Sequence, residues 1–77
     1  MTLYELSDSL TLQGNIEIKV FDDAGTETES RKFQDMAGFH SLMDAPDLEH
    51  YDVTYMYAIA DTTGATWLVI EITEDKE

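Results

Sequence analysis

The chemistry-bearing residues of this 77-residue chain are few, and one stretch concentrates most of them. Asp44, Asp47, Glu49 and His50 could supply oxygen and nitrogen ligands to a divalent cation, because a loop can gather such groups without regular spacing. Neither an EF-hand pattern nor HExxH is present, so a solvated acidic loop is the stronger reading and no metal is assigned. His40 and His50 lie in the same region, but no serine sits in a nucleophile elbow and there is no cysteine. A catalytic triad is unsupported, and both histidines read as surface residues. Gly14, Gly25, Gly38 and Gly64 are scattered, which leaves no loop able to cradle a phosphate. No catalytic residue and no cofactor is expected.

The charge is more informative. Seventeen Asp and Glu face four Lys and Arg, a formal net charge of −13. Such a chain repels nucleic acid and anionic membranes and favours basic protein surfaces or cations. Two readings follow. Spread through helix, turns and connections, the carboxylates keep a small domain soluble. Arranged in rows, they imitate the phosphates of duplex DNA and occupy a DNA-binding protein. Glu27 and Glu29, read as sharing one strand face, with Asp22, Asp23, Glu71, Glu74, Asp75 and Glu77, could contribute to such a stripe if the two hairpins lie side by side; Arg31 and Lys32 interrupt it.

These groups must be carried on a folded core, since 43% hydrophobic residues and eight aromatics exceed what an acidic disordered tail holds. At this length a single domain over residues 1–77 is expected. It can bury only about 60% of its unfolded surface, leaving little room for a deep substrate cavity. Without cysteine, neither disulfides nor a thiolate zinc site can reinforce it. No basic region followed by an apolar run opens the chain, and no apolar stretch is long enough to span a bilayer. A cytoplasmic protein is expected.

Thr2 and Glu5 form a T-x-x-E capping box, which predicts a helix from Leu3 with Leu3, Leu6 and Leu10 inward and Ser7, Asp8 and Ser9 facing elsewhere. Ile16, Ile18 and Val20 alternate with Glu17 and Lys19, the period of a half-buried strand. Asp22 to Gly25 reads as a turn completed by a left-handed residue, returning into an antiparallel, charge-rich edge strand over 26–33. Asp61 to Gly64 repeats the D-x-x-G spacing between two β-rich runs, 52–60 and 66–73. Between these units, Met36, Phe39, Leu42 and Met43 are spaced as on a helix, and a short helix or turn is expected within 34–50.

The second β unit is apolar on both sides. Val53, Tyr55, Tyr57 and Ile59 alternate with Met56, Ala58 and Ala60, and Leu68, Ile70 and Ile72 with Trp67 and Val69, so both strands read as central. Either the middle connection covers the second face, the commoner fate of aromatics at strand spacing, or a surface around Tyr55, Tyr57, Met56 and Trp67 stays open for a partner.

The segments Thr2–Leu6, Gln13–Ile16, Val20–Asp22 and Val53–Tyr57 together resemble small acidic proteins carried on phage and conjugative elements of gut-dwelling Gram-positive bacteria. The resemblance covers nearly the whole chain outside the 34–50 connection. It implies a mobile-element origin and an α+β fold, and it carries over no functional residue, that group having no established activity.

The expected fold is therefore α+β: an N-terminal helix packed on a four-stranded, mainly antiparallel sheet built from two β-hairpins, with the strand order open. The expected function is a non-enzymatic protein-interaction module that meets a protein partner through Tyr55, Tyr57 and Trp67, without binding nucleic acid or membrane directly. The alternative is the acidic mimic that occupies a host DNA-binding protein.

Overall fold

A computed structural model describes residues 1–74. The chain runs through α1 (Leu3–Ser9), β1 (Leu12–Phe21), β2 (Glu27–Phe39), α2 (Ser41–Asp44), a 3-10 turn (Pro46–Leu48), β3 (Asp52–Ala60) and β4 (Thr66–Thr73). The fold is α+β, with one four-stranded sheet in the order β2-β1-β4-β3. The sheet is mixed: β1–β2 and β3–β4 are antiparallel, whereas the central strands β1 and β4 are parallel.

Helix α1 begins as its sequence dictates. The Thr2 hydroxyl accepts from Glu5 N–H at 3.1 Å, and Glu5 Oε1 accepts from Thr2 N–H at 2.9 Å, satisfying two donors that a helix start otherwise leaves orphaned. Leu3 and Leu6 enter the core. Leu10 does not: the helix ends at Ser9, Leu10 turns extended, and it is 55% exposed. Ser7, expected to face away, is buried. Its hydroxyl accepts from Ser41 N–H at 3.1 Å and lies 3.2 Å from the Ser41 hydroxyl, which ties α1 to α2.

These short helical pieces lie over one face of the sheet, where Ile16, Ile18, Val20, Ile70 and Ile72 meet Leu3, Leu6, Ala45 and Leu48 in the core. The thinnest Cα dimension is 16 Å, room for a sheet and one covering layer.

Strand β2 is an edge strand, but it runs six residues beyond the expected Phe33 end, to Phe39. Beyond Phe33 its pairing with β1 slips twice, from Ile16↔Phe33 to Gly14↔Met36 and to Leu12↔Phe39. At each step β1 advances by two residues and β2 by three. Phe33, Met36 and Phe39 thereby stay on the core face, with Phe33 and Phe39 edge to face at 5.2 Å. A strand period of two plus one extra residue per bulge gives a spacing of three, which in sequence imitates a helix. Backbone in the left-handed region accommodates the bends at Gly14 (φ 91°) and Asp35 (φ 53°), and Asp35 N–H is held by Asn15 Oδ1 at 3.0 Å. Helical structure in the connection shrinks to the four residues of α2 and the 3-10 turn.

Candidate functional site

Among the described residues nothing helical covers the second face of the sheet. The side chains there follow from the register: Lys32, Glu17, Val69 and Tyr57 form one row across β2, β1, β4 and β3, and Ser30, Lys19, Glu71 and Tyr55 form the next. Trp67 lies beside Asn15 and Ile59 at the near end. Val69 is buried even on this face, enclosed by longer neighbours on its own and adjoining strands.

The aromatic groups are held in different ways. Trp67 is half-buried; its indole N–H donates to Asp61 Oδ2 at 3.0 Å, and Lys32 Nζ stands 5.5 Å from the ring centroid, within cation–π range. The Tyr57 hydroxyl donates to Glu71 Oε2. That hydrogen bond to a carboxylate raises the phenol pKa above its ordinary value, because losing the proton would break the bond and place two negative charges together. Tyr55 projects furthest, at 68% exposure, while Tyr57 is 38%, Ile59 40% and, on the opposite face, Met56 47% exposed.

The expectation that both strands of this pair are central and covered on both sides is corrected here. Strand β4 is central, but β3 is the outer strand, and the covering layer does not reach its far half. A bulge also divides the set read as one face. Val53 pairs with Ile72 and Tyr55 with Glu71, leaving Thr54 extra, so Val53 packs against the core while Tyr55, Tyr57 and Ile59 lie on the open face. Ile59 thus joins Tyr55, Tyr57 and Trp67 on the open face, whereas Met56, expected in the same surface, is exposed on the opposite one. The signal for Ile59 was present in the uncharged run Tyr55–Ala60, once the strand is known to lie at an edge.

The acidic set is not arranged on one face. Val20 pairs with Glu29 and Phe21 with Glu27, so an extra residue, Thr28, separates the two glutamates. Glu27 reaches Lys19 at 3.9 Å on the open face; Glu29 contacts Arg31, which also makes a two-pronged bond to Asp47 of the 3-10 turn at 3.0 and 2.6 Å. Arg31 holds the Asp47 carboxyl below the ordinary carboxylate range, since the hydrogen-bonded guanidinium favours the ionised form. Asp22 and Asp23 lie in the β1–β2 turn, Glu71 is bound to Tyr57, and Glu74 is exposed just past β4. Asp75 and Glu77 lie outside the described residues.

Asp44, Asp47, Glu49 and His50 also separate. Asp44 Oδ2 accepts from His40 N–H at 3.0 Å, Asp47 binds Arg31, and Glu49 Oε1 lies 3.1 Å from His50 Nε2. Among the described residues no three potential metal ligands come together, and no helix is long and apolar enough to cross a membrane. What the geometry offers is an uncovered, partly aromatic sheet face continuous with an apolar outer strand. Comparison of the chain with protein-family models, with curated proteins and with solved structures gives no match.

Proposed function

We propose that this protein is a non-enzymatic interaction module that binds a protein partner through the open face of the β3–β4 pair, with Tyr55 and Tyr57 as contact residues and Trp67 as a fixed anchor beside them. The observation that carries this reading is the row of exposed apolar side chains, Tyr55, Tyr57 and Ile59, on the open face of one outer strand. Large aromatics with a polar tip are the side chains most often found at the energetic centres of protein interfaces. Here they stand on rigid sheet backbone, so little ordering entropy is lost on contact. The resemblance to small proteins of phage and conjugative elements directs the search for the partner to cytoplasmic host proteins.

The test is capture from host lysate at low and high salt, using the wild-type chain and a Tyr55→Ala/Tyr57→Ala variant. A protein retained by the wild type at high salt and lost by the variant supports the reading, because apolar contacts outlast screening and exposed charge pairs do not. Equal capture by both proteins overturns it. Capture that vanishes with salt and competes with duplex DNA assigns the chain instead to the acidic mimic, whose carboxylates would act together despite the pairing of Glu27 with Lys19 and Glu29 with Arg31.

A further inference from the structure

Strand β3 has an outer edge that the chain itself uses once. Val53 N–H donates to the Met1 carbonyl at 2.8 Å and Leu3 N–H to the Tyr51 carbonyl at 2.9 Å, on either side of an antiparallel bridge between Thr2 and Asp52. The first step of a fifth strand is therefore already in place. Further along, Asp61 N–H donates to the Ala65 carbonyl at 2.9 Å, so Asp61 faces β4, and inward and outward residues alternate along an antiparallel strand. Ala60, Ala58 and Met56 consequently turn their N–H and C=O groups away from the sheet. Among the described residues these groups have no backbone partner. A row of unpaired backbone donors and acceptors, flanked by uncharged side chains, is a template for strand addition.

Charge selects the incoming strand. Lys19 lies on β1, and Arg31 and Lys32 on β2; α1, α2, the 3-10 turn, β3 and β4 contain no lysine or arginine. The charged side chains around the β3 edge are carboxylates: Asp52 at one end, Asp61 at the other, and Glu71 in register with Tyr55 on the next strand. A second copy of the chain paired antiparallel here would bring its Asp52 end against the first copy's Asp61 end, in addition to a net charge of −13 meeting −13. A basic strand meets no such opposition. The same sheet face already shows the favourable geometry, since Lys32 on the β2 edge reaches over Trp67 two strands away.

We propose that β3 accepts an extended segment of a basic partner protein as a fifth strand, bonded to the backbone of Met56, Ala58 and Ala60, with Lys or Arg side chains laid over Tyr55 and Tyr57 towards Glu71. This rests on the reading of the β3–β4 surface as a protein-binding site and names the chemistry and binding mode of its partner.

The probes are a short synthetic peptide of alternating Lys and Val, the same peptide N-methylated at alternate residues, and an alternating Glu–Val peptide. The Lys–Val peptide is expected to slow hydrogen exchange of the Met56, Ala58 and Ala60 amides. N-methylation is expected to weaken binding about tenfold or more, the loss expected from two or more hydrogen bonds, and the Glu–Val peptide is expected not to bind. Ala58→Pro supplies the matching change in the protein. Its N–H faces outward, so proline removes a donor from the free edge and none from the β3–β4 ladder, and the same loss is expected with the fold retained. If this variant unfolds, the N-methylated peptide alone decides.

Binding that perturbs Tyr55 and Tyr57 without protecting those three amides, or that survives N-methylation, overturns strand addition and leaves the surface reading standing. Equal binding of the Glu–Val peptide, no binding of the Lys–Val peptide, or concentration-dependent protection of the same amides in the protein alone also overturns the proposal. Loss of every interaction at the surface, including capture from lysate, removes both readings.

Discussion

In the β1–β2 pair, Asp22 Oδ1 accepts from Ala24 and Thr26 N–H, Gly25 N–H returns to the Asp22 carbonyl, and Gly25 takes a φ of 84°. In the β3–β4 pair, Asp61 Oδ1 accepts from Thr63 and Ala65 N–H, Gly64 N–H returns to the Asp61 carbonyl, and Gly64 takes a φ of 87°. The likeness extends to the outer strands. Thr28 and Thr54 are each the extra residue of a bulge, and each donates its hydroxyl to a carbonyl across the pair, of Val20 and Glu71 respectively. With turn and bulge shared, the difference lies in what the outer strands carry. Strand β2 carries Glu27, Glu29, Arg31 and Lys32, and charge guards an edge against pairing with another chain. Strand β3 is uncharged from Val53 to Ala60 and, among the described residues, is guarded only at its start, by Met1 and Leu3. Like local backbone solutions thus carry one charged outer strand and one that is uncharged along most of its length.

The largest expected effect tests whether both pairs depend on one shared core. Ile18→Ala on β1 and Ile70→Ala on β4 each remove a fully buried side chain and are expected to cost about 2–5 kcal/mol in urea unfolding. A cost below about 1 kcal/mol at either position would mean that the two pairs do not share that packing. A smaller effect separates anchor from contact on the open face. Trp67→Ala removes a half-buried ring together with its bonds to Asp61 and Lys32, and it should destabilise clearly less than Ile70→Ala. Tyr55→Ala should leave the unfolding midpoint nearly unchanged, since that side chain lies mostly in solvent. If Tyr55→Ala lowered the midpoint as far as Trp67→Ala, β3 would be structural and the contrast between the edges would fail.

The smallest effect distinguishes the two turns. Asp61 also accepts from the Thr63 hydroxyl at 2.6 Å and from the Trp67 indole, and these bonds to its ionised form hold its pKa down to about 2, from an ordinary 3.8. A carboxylate with a depressed folded-state pKa contributes stability that is present above its unfolded value and is lost as pH falls towards the folded one. The Asp61 contribution should therefore be complete above 3.8 and fade between there and about 2. Carboxyl NMR titration should place Asp61 at about 2, and Trp67→Phe, which removes the indole donor, should move it back up. No movement in that variant would show that the Trp67 bond does not hold the turn.

How much of this was legible can be judged from particular residues. The Thr2–Glu5 box, both Asp–Gly turns, the Ile16–Val20 alternation and the charged outer character of β2 depend on contacts within a few residues, and the chain displays them directly. The bulges at Thr28, Thr54 and around Asp35 were not legible. Each inserts one residue without changing composition, and it reverses the face of everything beyond it. That is why the sequence pattern puts Glu27 with Glu29, Val53 with Tyr55, and Met36 and Phe39 on a helix. Ser7 was missed for another reason: its burial depends on Ser41, 34 residues away.

Local chemistry in the sequence settles where this chain turns, where its helix starts and which strand segments are apolar, because those outcomes rest on dihedral preference and short-range hydrogen bonding. The tertiary structure alone decides that β1 and β4 run parallel through the centre and that β3 lies outermost. Strand order is set by which apolar faces bury most area together, a property of the assembled core and not of any one segment. By placing the apolar Tyr55–Ala60 run at an edge instead of in the middle, that choice turns a stretch of ordinary core composition into the surface on which the proposed function depends.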